Sequence, residues 1–315
     1  MNPDPGSTGR RVLALVVNPV AGRGRAQRIS RLVAGALDHY ADVRVFDAGR
    51  SPAGSLAAVR QAVAEGVDAV AVCGGDGIVH LAANVLAGGR IPLGVIPAGS
   101  GNDIADLLGI ASDPARAAHE IGTALAAGSV IRIDVGRCSG PPLQPGTDRA
   151  FVGLIYAGFD SAVNQRANRL RLVPAGARYN IALAIETLRL HARRMRLGLD
   201  SESRDVSVTL IAVGNGAQYG GGKRIAPHAH WDDGVLGVTV VGPVSRRTLA
   251  RLAPTLPHAG HVGHPAVQLH DARHVCLEAP DRQVTVAYAD GEPVGPLPIR
   301  IWVDRAALPM LVPGP

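Results

Sequence analysis

Three glycine-rich segments in the first 103 residues combine glycine with carboxylate and amide side chains. They read N-P-V-A-G-R-G (18–24), G-G-D-G (74–77) and P-A-G-S-G-N-D (97–103). Glycine lets backbone N–H groups approach a phosphate closely, and a helix that begins after such a turn adds its positive end. One such turn would be weak evidence, because tight strand-to-helix connections need glycine anyway. Three turns that also contain Asp76 and Asn102 indicate a phosphate-binding site.

These turns do not match the common nucleotide-binding signatures. The chain contains no G-x-x-x-x-G-K-[ST] segment, and the first turn lacks the third glycine of a dinucleotide fingerprint. The signature segments of protein kinases are also absent. The sequence therefore predicts a phosphate site of another class.

The elements that must position the turns alternate between strand and helix patterns. Apolar runs at 12–17, 69–73 and 93–96 are typical of buried strands, and each is followed by one of the three turns. A further strand is predicted at 43–46, and helices are predicted at 25–40 and 51–65, the second with Ser51 as cap and Pro52 in its first position. This alternation predicts an α/β N-terminal domain with a parallel sheet, in which ligands bind at the carboxyl ends of the strands.

From about residue 131 the pattern changes to short strand-like segments. These lie at 151–156, 206–213, 235–241, 284–289 and 299–303, with helical segments at 160–170 and 175–191 and a Pro/Gly-rich loop at 139–148. We predict a second, mostly β domain over 131–304. The first domain is predicted to cover 1–130 and to be completed by the tail, 305–315, with the apolar segment 306–312 returning as an extra strand.

Composition restricts the partners and the compartment. Aromatic residues make up 3% of the chain, too few for base-stacking platforms, and no nucleic-acid motif accompanies the net charge of +6. The three cysteines are widely separated, which indicates reduced thiols. The N-terminus is polar, and no apolar stretch approaches the ~20 residues that span a bilayer. We expect a cytoplasmic protein that does not bind nucleic acid and contacts membranes only peripherally. The sequence leaves open whether the chain forms a homodimer.

In their order along the chain, the three turns resemble the catalytic domain of the diacylglycerol kinase family. That superfamily also includes the sphingosine and ceramide kinases and, more remotely, the NAD kinases. The second half agrees, with V-G-N-G (213–216), Y-G-G-G (219–222), I-A-P (225–227), D-G-V-L (233–236) and D-G-E (290–292). The resemblance runs from about Val12 to Val312 and is greatest for the soluble bacterial diacylglycerol kinases.

This resemblance implies an enzyme that moves the γ-phosphate of ATP to the hydroxyl of a diacylglycerol-like lipid, with Mg²⁺ as cofactor. The first domain would bind the nucleotide and the second the lipid. The nucleotide would be lined by residues of the three turns, namely Asn18, Gly22, Gly24, Gly74, Gly75, Asp76, Gly77, Gly99 and Ser100, with Asn102 supporting the loops.

The resemblance also implies two catalytic carboxylates and one structural metal site. Asp76 would belong to the ATP·Mg²⁺ centre, and Glu292 would be the base that takes the proton of the lipid hydroxyl. A structural Mg²⁺ would be held by the Asp233 carboxylate and the carbonyls of His230 and Val235, which are the oxygen ligands that a hard cation prefers.

Two positions depart from the family's pattern. The family usually reads G-G-D-G-T-x-x-E, whereas this chain has Ile78 and Leu81 in place of the Thr and the Glu. The departure keeps open a nucleotide-binding regulator with weak catalysis, although the intact Asp76 and Glu292 favour an active enzyme. Kinases for a sphingoid base, ceramide or phosphatidylglycerol also stay open, as does an NAD kinase, but the late D-G-E and the Y-G-G-G segment favour a lipid substrate.

Two further groups of basic residues have alternative interpretations. Arginines are concentrated among apolar residues at Arg166, Arg169, Arg171, Arg178, Arg189, Arg193, Arg194 and Arg196. They form either the solvated faces of two amphipathic helices or a surface that docks on anionic lipid and presents the substrate. The histidines at 258, 261 and 264 lack the cysteines and spacing of a zinc module, so we expect them in a solvated loop.

Overall fold

The computed structural model describes residues 10–141, 148–170, 173–280 and 285–313. Most of the loop predicted at 139–148 lies outside these residues, as do Arg171 and the first residue of the strand predicted at 284–289. The chain forms two compact units, one that runs up to Arg132 and resumes at Leu308, and one that spans Ile133–Ala307.

The N-terminal unit is an α/β domain with a parallel sheet, as predicted. Its strands are β1 (Val12–Val17), β2 (Asp42–Asp47), β3 (Ala69–Gly74) and β4 (Leu93–Pro97), hydrogen-bonded in the order β2-β1-β3-β4. Its helices are α1 (Ala21–Leu37), α2 (Pro52–Ala64), α3 (Asp76–Leu86), α4 (Asp103–Leu107) and α5 (Pro114–Ala127). In the tail of the chain, Met310 lies opposite Leu93 in parallel register.

Small and β-branched residues let helices pack closely on both faces of this sheet. Every residue of β3 is buried, and a Cβ added at Gly94 of β4 would lie 2.8 Å from Cγ2 of Ile121 in α5. Burial raises the pKa of the Cys73 thiol to about 12, so this cysteine is an inert part of the core. The predicted cap of α2 is confirmed, because Ser51 Oγ accepts a hydrogen bond from the Gly54 N–H at 3.2 Å.

The C-terminal unit is mostly β, as predicted. Its strands are β5 (Val130–Ser139), β6 (Arg149–Phe151), β7 (Leu154–Gly158), β8 (Arg193–Leu199), β9 (Glu202–Val208), β10 (Leu210–Gly214), β11 (Leu236–Val241), β12 (Val267–Ala272), β13 (His274–Glu278), β14 (Val286–Ala289), β15 (Glu292–Pro296) and β16 (Ile299–Leu311). The first three residues of β5 and the last four of β16 belong to the N-terminal unit. Its helices are α6 (Phe159–Arg169), α7 (Ala175–Leu188) and α8 (Arg246–Leu252), which a 3₁₀-helix (Ala253–His258) continues.

An antiparallel sheet with the order β12-β11-β10-β7-β14-β15 supplies one side of the core of this unit. Strands β16, β13, β8 and β9 pair in that order in a second antiparallel group. Buried side chains of both groups form one apolar cluster, which includes Ile155, Ile211 and Val238 from the first and Met195 and Leu197 from the second.

Two strands that the sequence predicted as continuous are each divided in the structure. The segment 151–156 breaks between β6 and β7 because the N–H groups of residues 152–154 bind a carboxylate instead of a neighbouring strand. The segment 206–213 breaks at Thr209, whose hydroxyl donates to the carbonyl of Gly242 at 2.9 Å. Helix α8 and strands β8, β12, β13 and β15 were not predicted.

Asp134 connects distant segments of the C-terminal unit. It is 3% exposed, and its carboxylate accepts hydrogen bonds at 2.7 Å from the N–H groups of Gly234 and Ala306. The Asn215 side chain donates to the carbonyls of Asp134 and Val152 at 2.9 and 3.0 Å. Buried polar groups need such partners, so Asp134 fixes the position of the D-G-V-L turn.

Asp290 has a similar role in the D-G-E hairpin between β14 and β15. Asp290 and Gly291 have positive φ values of 49° and 86°, as a two-residue type I′ turn requires. The Asp290 carboxylate accepts hydrogen bonds from the N–H groups of Val152, Gly153 and Leu154 at 2.9–3.1 Å. The hairpin that carries Glu292 is thereby fastened to the loop between β6 and β7.

We expect Asp290→Ala to lower the free energy of unfolding by about 3 kcal/mol or more, because three backbone donors would lose their acceptor. Asp271→Ala is the control, since the Asp271 side chain is 64% exposed and its loss should change stability by less than ~0.5 kcal/mol. Urea denaturation followed by circular dichroism measures both. Equal, small changes in the two variants would show that the Asp290 contacts contribute nothing to stability.

Candidate functional site

The first turn adopts an unusual run of left-handed backbone. Gly22, Arg23 and Gly24 have φ values of 55°, 58° and 83°, and a Cβ at Gly22 would lie 2.2 Å from the carbonyl oxygen of Ala98. Asn18 shapes the start of the turn, because its Oδ1 accepts from the Val20 N–H at 3.2 Å. Successive N–H groups in turn conformations can form an anion-binding concavity.

The second and third turns meet through their backbones. A Cβ on Gly99 would lie 2.5 Å from the Cα of Gly75, and one on Gly75 would lie 3.1 Å from the Cα of Gly99. The N–H groups of Ala98 and Gly99 donate to the carbonyl of Gly74 at 2.8 and 3.2 Å. Only glycine at both positions permits this approach.

Asn102 maintains the conformation of the third turn. It has φ 60°, and its Oδ1 accepts from the Gly99 N–H at 2.9 Å while its Nδ2 donates to the Gly99 carbonyl at 3.2 Å. Ser100 lies between these contacts and is exposed. Asn102 therefore supports the loop, and Ser100 presents its hydroxyl to solvent.

Asp76 connects the second turn to the third. It is the first residue of α3, with Gly75 as N-cap, and its Oδ1 accepts from the Ile104 N–H at the start of α4 at 3.0 Å. Gly77 follows it and is exposed, with no atom within 4 Å of a Cβ added there. The sequence did not predict this structural contact of Asp76, because it joins two turns that are 28 residues apart in the chain.

The two departures from the family's pattern supply apolar packing. Ile78 is 1% exposed, and its Cγ2 lies 2.7 Å from where a Cβ on Gly74 would be. Leu81 is half-buried on α3. These apolar side chains bring no polar group to the second turn, and Ile78 packs directly against Gly74.

The structure brings all the predicted nucleotide-binding residues together in the N-terminal unit. The three turns follow β1, β3 and β4, which are consecutive in the order of the sheet, so their carboxyl ends lie at one edge. The base and metal-ligand candidates, Glu292, His230, Asp233 and Val235, belong to the C-terminal unit.

Glu292 is the first residue of β15, directly after the turn that Asp290 fastens. It is half-buried, and within the described residues its carboxylate has no hydrogen bond or ion pair. Burial raises the pKa of Tyr288, and the nearby Glu292 charge adds to this rise. The Glu292 carboxylate is thus held by a rigid hairpin without being used in the fold.

The D-G-V-L turn has the oxygen chemistry of a cation site. The Asp233 Oδ1 accepts from the Val235 N–H at 3.0 Å, and Asp233 and His230 are both exposed. Across the described part of the chain, no three His, Cys, Asp or Glu side chains come together. A Mg²⁺ at this turn would rely on one carboxylate, backbone carbonyls and water, which is a usual ligand set for this ion.

The C-terminal unit contains an apolar cavity of about 270 Å³ that the sequence did not predict. Its walls come from helices α6, α7 and α8, the 3₁₀-helix, and strands β10 and β11. The apolar side chains among them include Leu183, Leu210, Val241, Leu249 and Leu256. Binding cavities for small molecules typically start at ~300 Å³ and are lined mainly by apolar groups. The volume suits part of a lipid-sized ligand.

A small polar cluster also lines this cavity. The Tyr219 hydroxyl donates a hydrogen bond to Asp160, and the Lys223 ammonium lies 5.5 and 5.9 Å from the ring centroids of Tyr179 and Tyr219. Burial raises the pKa of Asp160, whereas the Tyr219 hydrogen bond and the Lys223 charge oppose this rise. Signals for this cluster were the G-F-D segment after β7 and the Y-G-G-G-K segment.

The prediction that the three histidines lie in a solvated loop was wrong for His261. This residue is 2% exposed and lines the cavity, and its Nε2 lies 3.1 Å from the carbonyl oxygen of Ile225. The packing of the 3₁₀-helix against the loop at Ile225 buries it, although the neighbouring glycines and prolines indicated solvent.

The arginine-rich segment is partly neutralised. Arg166 pairs with Glu186 and Arg196 pairs with Asp205, and Arg178 donates to the carbonyl of Val173 at 2.7 Å. No ion pair involves Arg169, Arg189, Arg193 or Arg194 within the part of the chain that the structure describes. Arg166, Arg169, Arg189 and Arg193 surround a polar cavity of about 260 Å³ together with His191.

No helix among the described residues has the length and apolarity to cross a membrane.

Comparison with known proteins gives matches over both halves of the chain. Residues 12–138 match the diacylglycerol kinase catalytic domain, and residues 153–312 match the YegS C-terminal NAD kinase beta sandwich-like domain. A Mycobacterium tuberculosis protein described as a diacylglycerol kinase is 39% identical over 299 residues, which cover 95% of this chain and 94% of that protein.

Two further similarities are weaker in sequence. A Pseudomonas aeruginosa protein described as a probable lipid kinase, YegS-like, is 29% identical. The match covers 81% of this chain and 80% of that protein. The crystal structure of a diacylglycerol kinase from Bacillus anthracis has a TM-score of 0.71 at 20% identity, covering 97% of this chain and 98% of that chain. The structural similarity shows a shared fold.

These matches confirm the resemblance first indicated by the three turns and imply ATP as the phosphoryl donor. The chain belongs to the diacylglycerol kinase family and is a lipid kinase.

Proposed function

We propose that this chain transfers the γ-phosphate of ATP to the free hydroxyl of diacylglycerol and so forms phosphatidic acid. The observation that carries the proposal is the apolar cavity of about 270 Å³ in the C-terminal unit. An NAD kinase would need polar groups there to hold a dinucleotide, whereas acyl chains need the Leu and Val side chains that are present.

The three turns of the N-terminal unit bind the phosphates of ATP. The close contact between Gly75 and Gly99 and the left-handed run at 22–24 leave backbone N–H groups as the principal donors, with Asn18 and Ser100 beside them. Asp76 would hold the Mg²⁺ that accompanies ATP, with Gly77 leaving space next to it. When bound, this ion neutralises charge on the transferred phosphate.

Glu292 acts as the general base. Its carboxylate accepts the proton of the lipid hydroxyl as the hydroxyl oxygen bonds to the γ-phosphorus and the bond from that phosphorus to the bridging oxygen breaks, releasing ADP. The hairpin that holds Glu292 is fixed by Asp290, so the base is pre-positioned. A second Mg²⁺, held by Asp233 and the carbonyls of His230 and Val235, would stabilise the D-G-V-L turn.

The purified protein should form phosphatidic acid from dioleoylglycerol, ATP and Mg²⁺, and it should not phosphorylate NAD⁺. Radiolabelled ATP in mixed micelles measures the lipid products, with sphingosine, ceramide and phosphatidylglycerol as competing acceptors. If the protein is folded and binds ATP but labels none of these lipids, it is a nucleotide-binding regulator, the alternative that Ile78 and Leu81 raised. A sphingoid or ceramide product without phosphatidic acid would reassign the substrate.

Two carboxamide variants provide the controls for this assay. Glu292→Gln should lower kcat by ~10²–10⁴ and leave the Kd of ATP unchanged, because only proton acceptance is lost. Asp76→Asn keeps an oxygen for the Ile104 N–H but removes the charge, so it should weaken Mg²⁺·ATP binding as well as turnover. Near-normal kcat in Glu292→Gln would exclude Glu292 as the base.

We also propose that the arginine-rich segment of the C-terminal unit binds anionic membrane lipid. Arg169, Arg189, Arg193 and Arg194 carry charges that no carboxylate among the described residues pairs with. Such charges attract an anionic surface by about 1 kcal/mol each, and salt screens this attraction. This surface would deliver the lipid substrate to the enzyme peripherally.

Binding to vesicles that contain phosphatidylglycerol should therefore weaken as salt rises, and neutral phosphatidylcholine vesicles should bind little. Changing Arg189, Arg193 and Arg194 to Gln should reduce binding about tenfold or more without changing the Kd of ATP. A triple variant of Arg31, Arg60 and Arg90, which are exposed in the N-terminal unit, is matched in charge and should bind normally. Equal effects of both triple variants in vesicle sedimentation would refute a localised surface.

A further inference from the structure

We propose that Lys223 selects the lipid by charge, so that the cavity accepts an uncharged glycerolipid and rejects a lipid that carries an ammonium group. This inference rests on the proposed function and narrows its substrate class. Lys223 is the only lysine of the chain, and it lines the apolar cavity.

The loop that carries Lys223 holds it in a fixed position. The backbones of Tyr219 and Lys223 exchange two hydrogen bonds of 3.1 Å, and the three intervening glycines, residues 220–222, have φ values of 60°, 84° and 85°. The Lys223 ammonium donates to the carbonyl of Gly220 at 3.1 Å. The closed loop fixes the backbone of Lys223, and the bond to Gly220 is the one hydrogen bond that holds its ammonium group among the described residues.

The formal charges that line the cavity balance each other. Asp160 supplies one negative charge and Lys223 one positive charge, while burial lowers the pKa of His261 and so disfavours a charge on that ring. The Asp160 carboxylate already accepts the Tyr219 hydroxyl. An entering ammonium would therefore make the net charge of a largely apolar cavity positive, which is unfavourable.

An uncharged glycerolipid leaves the net charge of the cavity unchanged. Its ester carbonyls are acceptors, and an ammonium group has three N–H donors, of which only one has an acceptor, Gly220, among the described residues. Lys223 can donate the others to the ester oxygens, and such charge-assisted hydrogen bonds are stronger than neutral ones. The cavity thus favours ester oxygens and disfavours a cation.

A purely structural role for Lys223, contacting the Tyr179 and Tyr219 rings, would affect stability only. The two roles differ in one measurable quantity, the ratio of affinities for a neutral and a cationic lipid. Removing the Lys223 charge leaves Asp160 uncompensated, so the ratio should shift towards the cationic lipid. At an effective dielectric of ~20, a charge a few ångströms away changes affinity on the order of tenfold to a hundredfold.

Equilibrium dialysis against the whole chain without ATP measures the affinities for dihexanoylglycerol and for a short-chain sphingoid base. The unmodified chain should bind the glycerolipid at least tenfold more tightly. In Lys223→Met this preference should fall by about tenfold or more, and in Lys223→Arg, which keeps the charge, it should persist. Arg224→Met is the matched control, because Arg224 is exposed and its charge lies next in sequence; it should leave the ratio unchanged.

Asp160→Asn tests the other half of the charge balance and should increase the preference for the glycerolipid. This variant also carries the test if thermal melting shows that Lys223→Met does not fold. An unchanged ratio in a folded Lys223→Met protein, or in Asp160→Asn, would overturn the selection role. The proposed function fails separately: if no phosphatidic acid is formed, the affinity ratio still reports on Lys223.

Discussion

The contact between the backbones of Gly75 and Gly99 is the constraint on which the proposed phosphate site depends. With Cα atoms so close that a Cβ on Gly99 would lie 2.5 Å from Gly75, no side chain can separate the two turns. Asn102 and Asp76 hold the same two turns through hydrogen bonds to the N–H groups of Gly99 and Ile104. Polar side chains here shape the loops, and in the proposed function the backbone of these loops would meet the phosphates.

The C-terminal unit separates structural carboxylates from one that the fold does not use. Asp134 and Asp290 each bind backbone N–H groups of segments distant in sequence, which fixes the D-G-V-L turn and the D-G-E hairpin. Glu292 stands at the end of that hairpin without such a partner in the described chain. In the proposed mechanism this difference makes Glu292 available for proton transfer and keeps Asp290 out of it.

Local patterns predicted much of this architecture, and long-range contacts account for the rest. The apolar runs before each glycine turn identified β1, β3 and β4, because buried parallel strands are continuous in hydrophobicity. The division of the strand at 151–156 could not be predicted, since it depends on Asp290, far away in sequence. The cavity escaped prediction for the same reason, because its polar cluster joins Asp160 to Tyr219 and Lys223 across separate segments.

Calorimetric titration of Mg²⁺·ATP into Gly99→Ala tests the central claim most directly. The added Cβ must push the second and third turns apart, so ATP affinity should fall about tenfold or more while circular dichroism shows a folded protein. Gly35→Ala is the control, because Gly35 lies within α1 and no atom lies within 4 Å of a Cβ there. Unchanged ATP affinity in a folded Gly99→Ala protein would contradict the account and reduce these turns to simple connections.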